Sequence, residues 1–211
     1  MVDIQISPEE LYYLSKFCGG KYLNYVYIAI MDDIQQNPAV YDRNCKESLR
    51  KKGILKESFT GNVTLHPAVT KLLEPMFFGS FESSVDICWK GTPSRVKVYR
   101  FHWHEGKCTM VTSEGRTLRI QAIDSLHLPR LVLSLMPEGY QKQKKPEQAK
   151  VSGNSLTRII AVKQTVVGQP PVLKAYYELE GWLCAQDGKK DLTIISPKRF
   201  FDEAMSILKG V

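Results

Sequence analysis

Residues 96–123 read VKVYRFHWHEGKCTMVTSEGRTLRIQAI. Apolar and polar side chains alternate through Val96–Trp103, Lys107–Thr112 and Thr117–Ile123. That two-residue period is the pattern of a strand with one face buried. Glu105-Gly106 and Ser113-Glu114-Gly115-Arg116 punctuate the run as turns, and strands joined this closely run antiparallel. Val85–Trp89 adds a strand in front. Behind comes a helical pattern from Ser125 to Leu135, with Leu126, Leu131, Val132 and Leu135 apolar and Met136-Pro137 closing it.

The same order recurs downstream. Strands are expected at Leu156–Val167, Leu173–Leu179, Trp182–Gln186 and Leu192–Ile195, with turns at Gly168-Gln169-Pro170-Pro171 and Asp187-Gly188. Pro197 then starts a helix carrying Phe200, Phe201, Ala204, Met205 and Leu208. At a constant offset Leu118 and Ile120 correspond to Leu192 and Ile194, and Leu126 and Leu131 to Phe200 and Met205. The pattern predicts an α+β body of pseudo-duplicated strand–helix halves, each antiparallel sheet covered by a helix on one face.

Upstream the texture is helical. Ser7-Pro8-Glu9-Glu10 combines a capping serine, a proline at the first helical position and a capping-box glutamate. Leu11, Leu14, Phe17 and Cys18 follow at helical spacing, and Gly19-Gly20 stops the helix. A second helix is expected over Tyr22–Gln35, whose apolar stretch Tyr22–Ile34 reads as buried core, and a third over Asp42–Lys52 with Cys45 and Leu49 inward. Ile54-Leu55-Lys56 and Val63-Thr64-Leu65 form a short hairpin through Gly61, and a further helix covers Ala68–Phe77. Three helices, a hairpin and a helix are the order of a winged-helix module. The expected organisation is therefore a helical, winged-helix-like module over 1–80, a first strand-rich half over 81–140, a polar linker or mobile loop over 141–154, and a second half over 155–211.

Composition narrows the functional classes. The chain has 211 residues, 43% of them hydrophobic and 24% charged, as a globular protein does. No run approaches the ~20 apolar residues of a membrane span, and the N-terminus lacks a signal-peptide pattern, so no membrane insertion and a cytoplasmic location are expected. Five widely spaced cysteines without a C-x-x-C pair fit buried, reduced thiols. The net charge of +7 is dispersed: residues 1–80 carry nine Lys/Arg and nine Asp/Glu. A dedicated polyanion site would concentrate it.

No catalytic or cofactor constellation emerges. G-x-S-x-G, P-loop and G-x-G-x-x-G patterns are absent, so no catalytic residue and no cofactor is assigned. His102 and His104 share a strand face, a possible start for zinc, but Cys108 falls on the opposite face with Trp103, and His66 and His127 lack metal-motif spacing. A solvated polar strand face accounts for both histidines, and no metal ligand is assigned. Asp124 reads as a helix cap. Arg43, Lys46, Arg50, Lys51 and Lys52 on the third helix suit a DNA-reading helix. The hairpin that would serve as its wing has Lys56 as its sole cation, together with Glu57, where phosphate contacts would want more. Nucleic acid is the less favoured partner.

Five features in sequence carry a resemblance: S-P-E-E-L at Ser7–Leu11, L-R-K-K-G-I-L at Leu49–Leu55, L-R-I-Q-A-I-D at Leu118–Asp124, L-P-R-L-V-L-S-L-M-P at Leu128–Pro137, and the second strand–helix half. In this order the chain resembles the EspG-type chaperones of ESX (type VII) secretion systems, and their relatives in Firmicutes secretion loci. The likeness is one of element order over most of the chain. It implies a non-enzymatic cytosolic α+β protein with pseudo-twofold halves, which binds helical export substrates and delivers them to a membrane ATPase. The chain is shorter than actinobacterial members, rich in Lys and Tyr and comparatively poor in Ala, which fits a low-GC Gram-positive source and a client of WXG100 or LXG type.

Client binding needs an apolar patch with a polar rim. The turn Glu105-Gly106-Lys107, flanked by Trp103, is one candidate. Phe200 and Phe201 are the other, because adjacent helical residues diverge by ~100° and cannot both face one core.

Overall fold

The computed structural model describes residues 3–29, 31, 38–91, 96–140, 156–187 and 191–210. Its elements run β1 (Asp3–Ile6), α1 (Pro8–Phe17), α2 (Tyr25–Ala29), α3 (Pro38–Lys51), β2 (Leu55–Glu57), β3 (Val63–Leu65), α4 (Pro67–Phe78), β4 (Phe81–Trp89), β5 (Val96–His104), β6 (Lys107–Glu114), β7 (Thr117–Ala122), α5 (His127–Ser134), β8 (Leu156–Val166), β9 (Val172–Leu179), β10 (Trp182–Asp187), β11 (Asp191–Ile194) and α6 (Pro197–Lys209). The architecture is α+β: helices lead, antiparallel sheet follows and further helices cover it. The expected linker over 141–154 and Gly188 of the expected turn lie outside the described residues. No helix among the described residues is long and apolar enough to cross a membrane.

The chain forms two compact units: Met1–Ser80 with His102–Ala122, and Phe81–Phe101 with Ile123–Val211.

In the first unit α1 starts as its sequence dictates. Ser7 Oγ accepts from the Glu10 backbone N–H at 3.2 Å, and Glu10 Oε2 accepts from the Ser7 N–H at 2.7 Å. Glu10 is buried, and its carboxylate also accepts from Lys52 Nζ at 2.6 Å, tying α1 to the end of α3. The two glycines after α1 serve different ends. Gly19 takes the left-handed turn at φ +65°, whereas a Cβ on Gly20 would stand 3.0 Å from that of Phe77. β1 pairs antiparallel with β7, Ile6 opposite Leu118, and β6 pairs with β7 from Thr109–Ala122 to Glu114–Thr117. Against this sheet and α4 lies a core that includes Ile6, Leu11, Leu14, Leu49, Phe77 and Ile120. Each such side chain contributes roughly 1.5–3 kcal/mol on leaving water.

In the second unit the strands lie in the order β5-β4-β8-β9-β10-β11. Phe81–Trp89 of β4 pairs antiparallel with Val166–Arg158 of β8. β9 turns into β10 through Glu180 (φ +51°) and Gly181 (φ +79°), both in the left-handed region that a tight hairpin turn requires. α6 packs on β4 and β8 and against α5. Ser83 Oγ donates to the Leu208 carbonyl at 2.8 Å, and the rings of Tyr176 and Phe200 meet edge-on at 4.8 Å.

Five expectations change. Among the described residues α2 covers Tyr25–Ala29, starting later than expected because the Asn24 side chain accepts from the Val26 N–H at 2.8 Å; Ile30 and residues 32–37 lie outside the described residues. Of the apolar stretch, Tyr27 is buried but Tyr22 and Tyr25 are 41% and 75% exposed, so the stretch is amphipathic. α3 begins at Pro38, since proline suits a first helical turn better than a preceding helix end. Asp124 Oδ1 accepts from the N–H groups of Leu126 and His127, which starts α5 later than expected and leaves Leu126 exposed, whereas Phe200, its supposed counterpart, is fully buried. Among the cysteines all five are free thiols, and Cys88 is exposed rather than buried.

Candidate functional site

One candidate surface of the first unit is built by α4. His66 Nδ1 accepts from the Ala68 N–H at 3.2 Å, and Pro67 opens the helix. Pro75 sits inside it and, lacking an N–H, withholds the usual donor from the Lys71 carbonyl. Around this interruption the buried Thr109 hydroxyl donates to the Leu72 carbonyl at 2.7 Å, joining α4 to β6. The helix ends where the Gly79 N–H reaches the Pro75 carbonyl at 3.1 Å. A Cβ on Gly79 would stand 2.2 Å from the Trp103 carbonyl oxygen, so glycine is what lets the end of α4 lie against β5.

That approach brings the β5–β6 turn to α4. Glu105 (φ +47°) and Gly106 (φ +74°) make the turn, and Lys107 Nζ reaches Glu74 Oε2 at 2.7 Å. Beside the ion pair lies a groove of about 310 Å³ lined by Cys18, Thr70, Lys71, Leu73, Glu74, Phe77, Phe78 and Lys107. Leu73 and Phe77 are its buried base, Cys18 and Phe78 are half-buried, and Thr70, Lys71 and Lys107 are exposed. The N–H groups of Lys21 and Tyr22 both donate to the Phe77 carbonyl, at 2.7 and 3.0 Å. Tyr22 and Phe17 are each 41% exposed, which extends the apolar surface at this end of α1. An apolar floor with a charged rim is the anatomy of a protein-binding patch.

The electrostatics follow from the pairing. The Lys107 hydrogen bond holds the Glu74 carboxyl below the usual range, and Glu74 in turn raises the Lys107 ammonium. Burial pushes up the Cys18 and Cys108 thiols, keeping both protonated and poorly nucleophilic.

The expected solvated face of the two histidines does not exist at His102. It is 3% exposed, and its Nε2 lies 2.8 Å from the Tyr27 hydroxyl, because α2 covers that stretch of β5. His104 instead joins Glu74 and Glu105, with one ligand atom from each within 4.8 Å of the others. An imidazole and two carboxylates suit a zinc-like ion. The set is one ligand short of a structural site, and Lys107 already occupies a Glu74 oxygen.

The basic face of α3 is largely neutralised. Lys46 and Arg50 converge on Glu57 at 3.4 and 2.6 Å, Lys51 pairs with Glu47 at 2.9 Å, and Lys52 with Glu10. The open depression there, about 650 Å³, is lined by Arg43, Lys46, Arg50 and Lys51 but also by Glu47 and Glu57.

Of the residues singled out from the sequence, Trp103 is half-buried and Glu105, Gly106 and Lys107 are exposed on one turn, with Lys107 on the groove. Phe200 and Phe201 belong to the second unit, where Phe200 is buried and Phe201 half-buried. Sequence reading missed Cys18, Lys71, Glu74 and Phe78. Met76-Phe77-Phe78 was the available signal, since three consecutive apolar residues exceed one helical face. The β8–β9 turn falls at Gly168–Pro171 as expected, but the exposure of the apolar side chains around it, Val167, Val172 and Leu173 at 56%, 48% and 65%, was not foreseen.

Fold and groove together describe an α+β protein with an apolar groove rimmed by charged side chains. No protein-family model matches the chain, and no curated protein matches it. Among solved structures it is similar to the Mycobacterium tuberculosis type VII secretion system chaperone EspG5, determined in complex with the PE25–PPE41 dimer. The TM-score is 0.62 at 8% sequence identity, over 99% of this chain and 96% of that one. The likeness is one of fold.

Proposed function

We propose that the protein is a non-enzymatic chaperone or adaptor of a type VII (ESX-like) secretion system, acting in the cytoplasm on a helical export substrate of WXG100 or LXG type. The observation that carries this reading is the fold shared with EspG5 over nearly the whole of both chains. The groove beside α4 supplies the means. An amphipathic client helix would lay apolar side chains against Phe78 and Cys18, with Lys107, Glu105, Gly106 and Trp103 of the neighbouring turn at its flank. Each ~100 Å² of apolar surface covered is worth about 2.5 kcal/mol before the entropy of association is subtracted. Phe201 offers a second, smaller contact. In this reading the N-terminal elements are taken as a winged-helix-like module and the two strand–helix segments as pseudo-duplicated halves.

The alternative, a nucleic-acid-binding regulator, would use α3. Its ion pairs with Glu47, Glu57 and Glu10 reduce the charge that phosphates would meet, so the chaperone reading is preferred. A tagged pull-down from nuclease-treated cytosol of the source organism, read by mass spectrometry, distinguishes them. Recovery of a small helical secretion protein or an LXG protein is expected. Its absence, with nucleic acid recovered from the untreated control, would overturn the proposal.

A further inference from the structure

We infer that the helix accepted by the α4 groove carries acidic residues beside its apolar ridge, which pair with Lys71 and draw Lys107 away from Glu74. The inference rests on the chaperone reading and specifies the chemistry of its client.

The mode of docking comes first. β6 lies between β5 and β7, so no strand edge is open at the groove for an extended peptide to add to. What the groove offers is side-chain surface, and a volume of about 310 Å³ suits apolar side chains projecting from one turn or two of a helix.

The charge of the rim then selects among helices. Its lining carries Lys71 and Lys107 against Glu74. Lys21 is exposed where its N–H meets Phe77, while Glu105 is exposed on the turn beyond His104. Lys107 is held by Glu74, but Lys71 makes no ion pair among the described residues. Lys71 and Glu74 are three apart on α4 and share a face. A client helix covering the groove would therefore strip water from an ammonium whose neighbouring carboxylate, Glu74, is already bonded to Lys107. A client carboxylate there supplies the missing partner, whereas a client cation would stand against both lysines. Glu74 and Lys107 are 31% and 51% exposed, so their pairing is worth little in water and can be exchanged.

The test uses the full chain with Cys88 replaced by Ser and two synthetic amphipathic peptides. Both have Leu and Phe at i, i+3, i+4 and i+7, one flanked by Glu and the other by Lys. Binding is followed by anisotropy, and occupancy of the groove by protection of Cys18 from alkylation. The Glu-flanked peptide should bind roughly tenfold more tightly at low salt, protect Cys18, and lose its advantage as salt screens the rim. Lys71→Glu should shrink the preference, and Lys71→Glu with Lys107→Glu should reverse it, both with unchanged circular dichroism. Equal binding of both peptides with Cys18 protected overturns the charge inference and leaves the groove standing. Tighter binding of the Lys-flanked peptide overturns it as well. Binding without protection of Cys18, or no binding, removes the groove itself as the client site. Failure of the secretion reading would appear instead in the pull-down.

Discussion

Replacing Gly79 with Ala tests the contact that brings α4 to the β5–β6 turn. Gly79 has φ −72° and ψ 132°, a region open to any residue. At such a position Gly→Ala ordinarily stabilises by about 0.4–1 kcal/mol, through reduced freedom of the unfolded chain. Here the new Cβ would stand 2.2 Å from the Trp103 carbonyl oxygen, 2.4 Å from that of Pro75 and 3.0 Å from the Trp103 carbonyl carbon. All three are backbone atoms, so no side-chain rotation relieves the clash: α4 and β5 have to part by about an ångström, and the chain at Gly79 has to turn away from the Pro75 carbonyl of α4 itself. Forced shifts of this kind cost about 1–3 kcal/mol. Set against the entropic gain, a net loss of about 1–2 kcal/mol is expected, which lowers Tm by roughly 2–8 °C in a chain of this size. Scanning calorimetry of both proteins measures it. Gly61→Ala is the control: its φ is +80° with nothing within 4 Å of the added Cβ, so it carries backbone strain without a clash. Alkylation of Cys18 should also quicken in Gly79→Ala, because the groove loosens, but not in the control. A Gly79→Ala protein with Tm equal to or above the wild type would refute the approach of α4 to β5, and with it the argument that positions the groove.

Three further outcomes follow from other parts of the molecule. At neutral pH one thiol, Cys88, should react rapidly with a soluble disulfide reagent, because it is exposed while Cys45, Cys108 and Cys184 are buried and Cys18 half-buried; peptide mapping after a short pulse identifies the modified site. Tyr140→Phe should destabilise by about 1–3 kcal/mol in denaturant titration, because the buried hydroxyl shares its proton between the Ile195 and Leu183 carbonyls and its loss removes the Ile195 carbonyl's side-chain donor, while the Leu183 carbonyl keeps the Ile195 N–H and the ring packing on Trp182 is kept. Burial resists ionisation of Glu203, but hydrogen bonds from Lys174 (2.7 Å) and Arg199 (2.9 Å) outweigh it and hold its carboxyl below the usual range. Its stabilisation is therefore fully present above the unfolded value of about 4.3 and is lost as pH falls through the lower folded value. Glu203→Gln should give a flatter profile of Tm against pH across that acid range.

The elements legible in the sequence were those whose signals are local. The Ser7–Glu10 box, the strands β5 to β7 with their turns and the Pro197 start of α6 each depend on residues within one turn or one hairpin, and each forms close to where it was read. β1 was not legible, because Asp3–Ile6 is short and becomes a strand through pairing with β7 more than a hundred residues away. His102 was misread for the same reason. Alternation places it on a face with His104, but whether that face meets water depends on α2, whose start Asn24 fixes.

The groove shows the limit most clearly. Lys107 was singled out as part of an exposed turn, yet what gives it a role is Glu74, thirty-three residues earlier and on another element. Pro75 and Gly79 create that juxtaposition. The proline interrupts the helix one residue after Glu74, and the glycine admits the Trp103 carbonyl at the helix end. Read alone, the two residues say where a helix weakens and stops. In the folded chain they set where its last turn lies, and so which side chains line the surface beside it. A groove built from such constraints needs few particular identities beneath it. On the client-binding role proposed for it, specificity would lie in Lys71, Glu74 and Lys107 on the rim, where charge can change without disturbing the packing beneath.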